Sequence, residues 1–268
     1  MGFPISSSPL GGATGVRGAT TTIRVLLALA PVALPTAYLF YLKRSLAKRT
    51  IASARVSPPD ELPASTSSTC SDDDVLSPDV QVALDQYVVA RERVTSAPVP
   101  ITALRSEFVK GEGELDGLLE AYLSAAMQAF SWTPQALIMA RMGSSLEDAE
   151  GYRRTFDAEY LGECKFEVGD RVCGVYVVRA RKGGRVVLDL EPPKGWKGPV
   201  VTGALDVGFD RVGDELRFVN ETVTWRRKEG GKPTILEGKV GRWLHTLMAS
   251  WLVVRGIEAV TGGKVKSS

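Results

Sequence analysis

The stretch from Cys173 to Arg227 limits the fold more than any other. Apolar and polar residues alternate through Cys173 to Arg181, Arg185 to Glu191, Thr202 to Arg211 and Glu215 to Arg227. That is the period of strands with one face buried and one wet. Lys182-Gly183-Gly184 and Val212-Gly213-Asp214 separate two of the pairs. Connections this short join antiparallel neighbours, because a parallel pair needs a crossover of a dozen or more residues. In Phe156 to Phe166 the even positions are Phe, Ala, Tyr, Gly, Cys and Phe and the odd ones mostly charged, which predicts a further strand upstream. The expectation is an antiparallel meander of about five strands.

Helical spacing brackets the meander. Leu115, Leu118, Leu119, Tyr122, Leu123, Ala126 and Phe130 mark a helix over 114–130. Trp132-Thr133-Pro134 breaks it, and Pro134 to Met142 suits a second short helix. A long closing helix starts near Leu236, with Val240, Trp243, Leu244, Leu247, Met248, Trp251, Leu252 and Val254 along one broad stripe, and Gly262-Gly263 ends it. Ile101 to Val109 reads as a short first strand. The folded domain is thus expected over 101–262, with 263–268 a tail and 79–100 a helix, opened by Ser77-Pro78-Asp79, and a connector.

This order of helices, antiparallel strands and a closing helix resembles the helix-grip architecture of the START and Bet v 1-like superfamily. The resemblance covers residues 101–262 and implies an α+β fold, its sheet curved around the long C-terminal helix over a cavity. A hot-dog fold, whose main helix lies early, is the alternative.

Residues 25–42 carry no charge and read as a transmembrane helix. At 1.5 Å per residue they extend about 27 Å, enough for a thin bilayer. Lys43-Arg44 stops the run, whereas a cleaved signal peptide has a shorter apolar region that ends in small residues. The basic flank after it, with Lys43, Arg44, Lys48, Arg49 and Arg55 against Arg17 and Arg24 before it, places the C-terminal domain in the cytosol by the positive-inside rule. The leader, 1–24, holds arginine, serine and threonine but no acid, as mitochondrial targeting segments do, so the endoplasmic reticulum and mitochondria are both open as the membrane. Residues 43–78 read as a basic flank and a disordered linker rich in Pro, Ser, Thr and Asp. Ser57, Ser71 and Ser77 stand there beside proline or acidic residues, a context that linkers of this composition hold by chance.

Composition excludes several chemistries. The net charge is +2, yet no Asp or Glu precedes Asp60, so the basic excess belongs to the N-terminal region and nucleic acid is not an expected partner. With one histidine, His245, a His-rich metal site is ruled out within one chain. Cys70, Cys164 and Cys173 make no disulfide framework. No phosphate-binding loop or dinucleotide fingerprint is present, and neither a metal nor another cofactor is expected.

A few residues are candidates for a site. Arg255 and Glu258, three apart on the closing helix, share a side with Trp251 and would anchor a ligand's polar end beside an apolar cavity; otherwise they are an exposed ion pair. His245 is the one imidazole and the natural proton carrier, or else a boundary histidine. Glu221 lies among Val219, Val223 and Trp225 and must be paired, neutralised or useful unless a bulge turns it outward. Trp196, between Lys194 and Lys197 in a Pro- and Gly-rich loop, would lid a cavity, touch a membrane or pack on the domain. The functions these features suggest are, in order, a membrane-tethered module holding a lipid or other apolar small molecule; a cyclase- or thioesterase-like enzyme using His245 and Glu221; and an interaction domain displayed at a membrane.

Overall fold

The structure, a computed structural model, describes residues 37–57, 75–110, 114–115 and 117–262. The chain divides into two compact units, Met1–Arg44 and Ser45–Ser268. The described part of the first is helical, within a helix α1 over 37–46. The second is an α+β domain built on an antiparallel sheet of eight strands.

In chain order the sheet takes β1 (Thr50–Ser57), β2 (Tyr87–Ser96), β3 (Val99–Pro100), β6 (Arg171–Val172), β7 (Tyr176–Lys182), β8 (Arg185–Leu190), β9 (Thr202–Val212) and β10 (Glu215–Arg227). A separate two-residue ladder joins β4 (Val109–Lys110) to β5 (Glu114–Leu115). Spatial order is β1-β2-β10-β9-β8-β7-β6, with β3 paired to the start of β10. The expected meander is present in four strands, β7 to β10, with the two-residue β6 in place of the fifth. Its two tight hairpins turn at Gly183 and Gly213, whose φ values of +57° and +61° are left-handed, as two-residue hairpin loops require.

Alternation gives the sheet two different faces. Inward, Val94, Val186, Leu188, Leu205, Val207, Leu216 and Phe218 meet α3 (Leu118–Ser131) and the closing helix α7 (Lys239–Val260). Tyr122 of α3 lies against Phe218 with ring centroids 4.6 Å apart. The two helices pack closely at Gly256, where an added Cβ would sit 2.4 Å from the Tyr122 ring. Outward, Val89, Val187, Ala204, Val223 and Trp225 are covered by Val75, Leu76 and Val80, next to and within the short helix α2 (Pro78–Val82). The remaining helices, α4 (Pro134–Met142), α5 (Ala149–Arg154) and α6 (Ala158–Glu163), fill the connection before the meander. Thr133 caps α4 by accepting a hydrogen bond from the Ala136 N–H, with Pro134 in the first turn.

Several expectations are corrected. Among the described residues no helix is long and apolar enough to cross a membrane, so the transmembrane helix and the single-pass anchor do not stand. Residues 25–36 of the expected span lie outside the described residues, and 37–42 open α1. Among the described residues the longest helix, α7, is 22 residues but is interrupted by Lys239, Arg242, Arg255 and Glu258. The leader 1–24, the linker portion 58–74 with Ser71, and the tail 263–268 also lie outside the described residues.

Residues 50–57, expected in the linker, form β1, paired with β2 from Thr50↔Ser96 to Ser57↔Val89. They lack a burial pattern because residues 51–56 of this edge strand are exposed. The helix expected from Pro78 ends at Val82, and most of 79–100 is β2 and β3. Of the strand expected over 101–109 only Val109, in β4, is extended in a ladder; residues 101–108 make two 3₁₀ turns, burying Ile101, Leu104 and Phe108 at spacings of three and four. The expected strand 156–166 is mostly helical. Phe156, Tyr160 and Cys164 repeat every fourth position, which fits either period, and the fully buried Leu161 decides for the helix.

Candidate functional site

An apolar pocket lies between the inner face of the sheet and the helices. Its inner part, about 110 Å³, is walled by Met127 and Phe130 of α3, Leu205 and Val207 of β9, and Met248 and Leu252 of α7. A wider groove of about 460 Å³ runs outward past Met139 and Met142 of α4 to Pro192, Trp196 and Val200. Gln135, Tyr176, Leu190, Val201 and Ile235 line both, so the two adjoin and share these walls. Taken together they fall within the usual size of small-molecule sites, about 300–1,000 Å³.

The loop after β8 makes the mouth. Arg171 Nη1 donates to the Glu191 carbonyl at 2.5 Å, and the Trp196 N–H of the backbone donates to the Pro193 carbonyl at 3.1 Å. The indole Nε1 donates to the Pro199 carbonyl at 3.1 Å, and its ring lies 5.9 Å from that of Tyr152. Trp196 thus packs on the domain and walls the groove at once.

Polar groups gather at the inner end. On β10 the inward positions run Leu216, Phe218, Asn220, Thr222 and Thr224, apolar first and polar after, and the last three line the cavity. Thr222 stands opposite Glu92 of β2. His245, one turn and a half into α7, completes the wall. Its Nδ1 lies 3.2 Å from Oε2 of Glu92, whose side chain is 1% exposed. Among the described residues neither Glu92 oxygen has a hydrogen bond, and Oδ1 of the buried Asn220 has none either. Removing a carboxylate from water is costly unless it is paired and hydrogen-bonded. Here the 3.2 Å contact with His245 is the compensation on view. Tyr176 also lines the cavity, and burial raises its hydroxyl pKa well above the ordinary phenol range.

The site residues expected from sequence are scattered. His245 and Trp196 lie on the pocket, at opposite ends of it. Glu221 is on the outer face of the sheet, 4% exposed, where Arg91 Nη1 donates to it at 3.0 Å and Arg93 Nη1 at 3.5 Å. It belongs to a row of alternating charge. Arg93 is 3.8 Å from Asp210, and Arg185 joins Asp210 at 3.1 Å and Asp206 at 3.0 Å. Burial opposes the Arg185 charge, but Asp206 and Asp210 outweigh it and raise the guanidinium pKa above its ordinary value. The sheet therefore separates Glu221 from His245, and the two do not share a pocket.

Arg255 and Glu258 pair at 3.2 Å, with Arg49 2.7 Å from the same carboxylate. They border a shallow cleft with Trp132 and Gln128, away from the apolar pocket. Trp251 is half-buried against the core and lines neither part of the pocket.

Sequence reasoning missed Glu92 and Asn220. Glu92 sits in Arg91-Glu92-Arg93, which reads as a solvated charge run. Only the register of β2 against β10 shows that its neighbours face out and it faces in. Asn220 opens an Asn220-Glu221-Thr222 sequon but is 7% exposed in mid-strand. Among the described residues no group of three His, Cys, Asp or Glu could hold a metal ion. Compared with known protein families, curated proteins and solved structures, the chain matches none, and the pocket's geometry is what bears on function.

Proposed function

We propose that the domain binds an apolar small molecule in the pocket between the sheet and α3, α4 and α7. The observation that carries this is the pair of adjoining apolar pockets, the groove at Trp196 and the inner cavity, with the polar side chains Asn220, Thr222, Thr224 and His245 lining the inner one. A few placed polar groups in an apolar cleft are the usual make-up of a small-molecule site. Ile138, Val200 and Ile235 add to the case: each is more than half exposed at the mouth, an apolar rim that a hydrophobic ligand would cover. A ligand-holding cavity under a closing helix is also what the helix-grip resemblance implies.

The test uses the full chain and N-phenyl-1-naphthylamine, an uncharged dye that brightens in apolar surroundings. The expected result is saturable one-to-one binding, weakened about tenfold or more by Ala126→Phe, which fills the inner cavity. Val201→Trp narrows the junction of groove and cavity from a partly exposed position and should act alike without burdening the core. Absence of saturable binding, or equal binding by both variants with unchanged circular dichroism, refutes the proposal.

A further inference from the structure

The inner end of the pocket also says what kind of group it takes, granted that the pocket binds an apolar ligand at all. We infer that the buried end of the ligand is an uncharged hydrogen-bond donor, an alcohol, and that the pocket turns away the carboxylate of the same skeleton.

Three observations lead there. First, no Lys or Arg lines either the cavity or the groove among the described residues, so an anion entering this path would lose its water and meet no cation. Second, the one lining group able to carry positive charge, His245, already faces Glu92 at 3.2 Å; a protonated ring would be matched by that carboxylate and present no net charge to a ligand. Third, the atoms left without hydrogen bonds at this end are Oε1 and Oε2 of Glu92, Oδ1 of Asn220 and Nδ1 of His245, three of the four being carboxyl or amide oxygens. Both side chains are more than nine-tenths buried. Asn220 lines the cavity, and Glu92 lies just behind His245 and across from Thr222.

A hydroxyl suits this set. It donates to Asn220 Oδ1 or to the histidine ring, accepts from a Thr222 or Thr224 hydroxyl, and brings no charge. In a neutral imidazole one ring nitrogen is an acceptor, which again asks for a donor. A carboxylate offers only acceptors and adds a second negative charge near the first. A site that leaves its own polar groups unpaired with the wrong ligand discriminates far more strongly than one that differs by a methylene.

The experiment is displacement of N-phenyl-1-naphthylamine from the full chain by 1-decanol, decanoate and decylamine at pH 8. The expected order puts 1-decanol first, with decanoate weaker by about tenfold or more. Glu92→Gln, close in shape, should narrow that ratio by replacing the carboxyl group with an uncharged amide. Decanoate binding as tightly as 1-decanol, or decylamine binding more tightly, overturns the inference while leaving the pocket itself standing. An unchanged alcohol-to-acid ratio in a folded Glu92→Gln variant overturns the role given to Glu92. If the dye binds but none of the three displaces it, the headgroup assignment fails; if the dye does not bind, the pocket proposal fails first.

Discussion

Asp206→Ala is the sharpest test of how the outer face of the sheet is held. Arg185 is 3% exposed and Asp206 2%, and two hydrogen bonds join them, from Nε to Oδ1 and from Nη2 to Oδ2. Removing the carboxylate strands a buried guanidinium, a lesion that costs about 3–5 kcal/mol when no other partner is at hand. Here Asp210 remains, 3.1 Å from Nη1 and 19% exposed, so the lower end applies, about 3 kcal/mol. For a domain of this size that is a fall in Tm of about 6–12 °C. Urea denaturation of the full chain, followed by circular dichroism, measures it. The double variant Arg185→Met with Asp206→Leu removes both charges together and should recover most of the loss, since a buried ion pair is about neutral against a well-packed apolar one. A single variant within about 1 kcal/mol of the parent, or a double variant worse than the single, would refute the reasoning.

Two further outcomes are expected. Gly256→Val places side-chain atoms where a Cβ already meets the Tyr122 ring at 2.4 Å, so α7 must lift from α3, lowering stability by about 1–3 kcal/mol in the same assay. Glu237 is partly desolvated, which alone would raise its pKa, but its bonds from Arg226 and the Thr234 N–H prevail and lower it. Its stabilising effect is therefore present above the unfolded carboxylate pKa and lost as pH falls through the lower folded one. Glu237→Gln should be less stable than the parent at pH 7, and the gap should close below about pH 4 in parallel denaturation curves.

How far the fold was legible depends on which side chains faced which way. The meander could be read because two of its turns are two-residue glycine loops and its inward residues, such as Val186, Leu188, Leu205 and Val207, are apolar. The closing helix could be read from length and stripe, although Val240 and Leu244 of that stripe are exposed at 73% and 44%. β1 and β2 could not. One is an exposed edge strand, and the other buries Glu92 and Ser96 inward while Arg91 and Arg93 pair across its outer face. The site suffered most from the same cause. Its polar end comes from β2, β10 and α7, three elements far apart in the chain, and only strand register shows that Glu92 rather than Glu221 shares a face with the pocket. Trp196 could be singled out because a tryptophan in a proline- and glycine-rich loop has few other uses.

The place of β2 in the sheet also bears on the order of events in folding. It is synthesised early, yet one of its edges is closed only by β10, as the Arg91–Glu221 pair, 130 positions apart, shows. Pairings of such long range are slow, because the intervening chain must be closed into a loop before any contact rewards it. On the ribosome, β1 and β2 can pair while β10 is still untranslated, leaving one edge of β2 without its neighbour. The meander from β6 to β10 pairs neighbours in sequence, with no connection longer than residues 191–201, so contact range favours its closing before the older strands dock on it. The polar end of the pocket, which needs Glu92 from one side and Asn220 and His245 from the other, comes into being only at that last step.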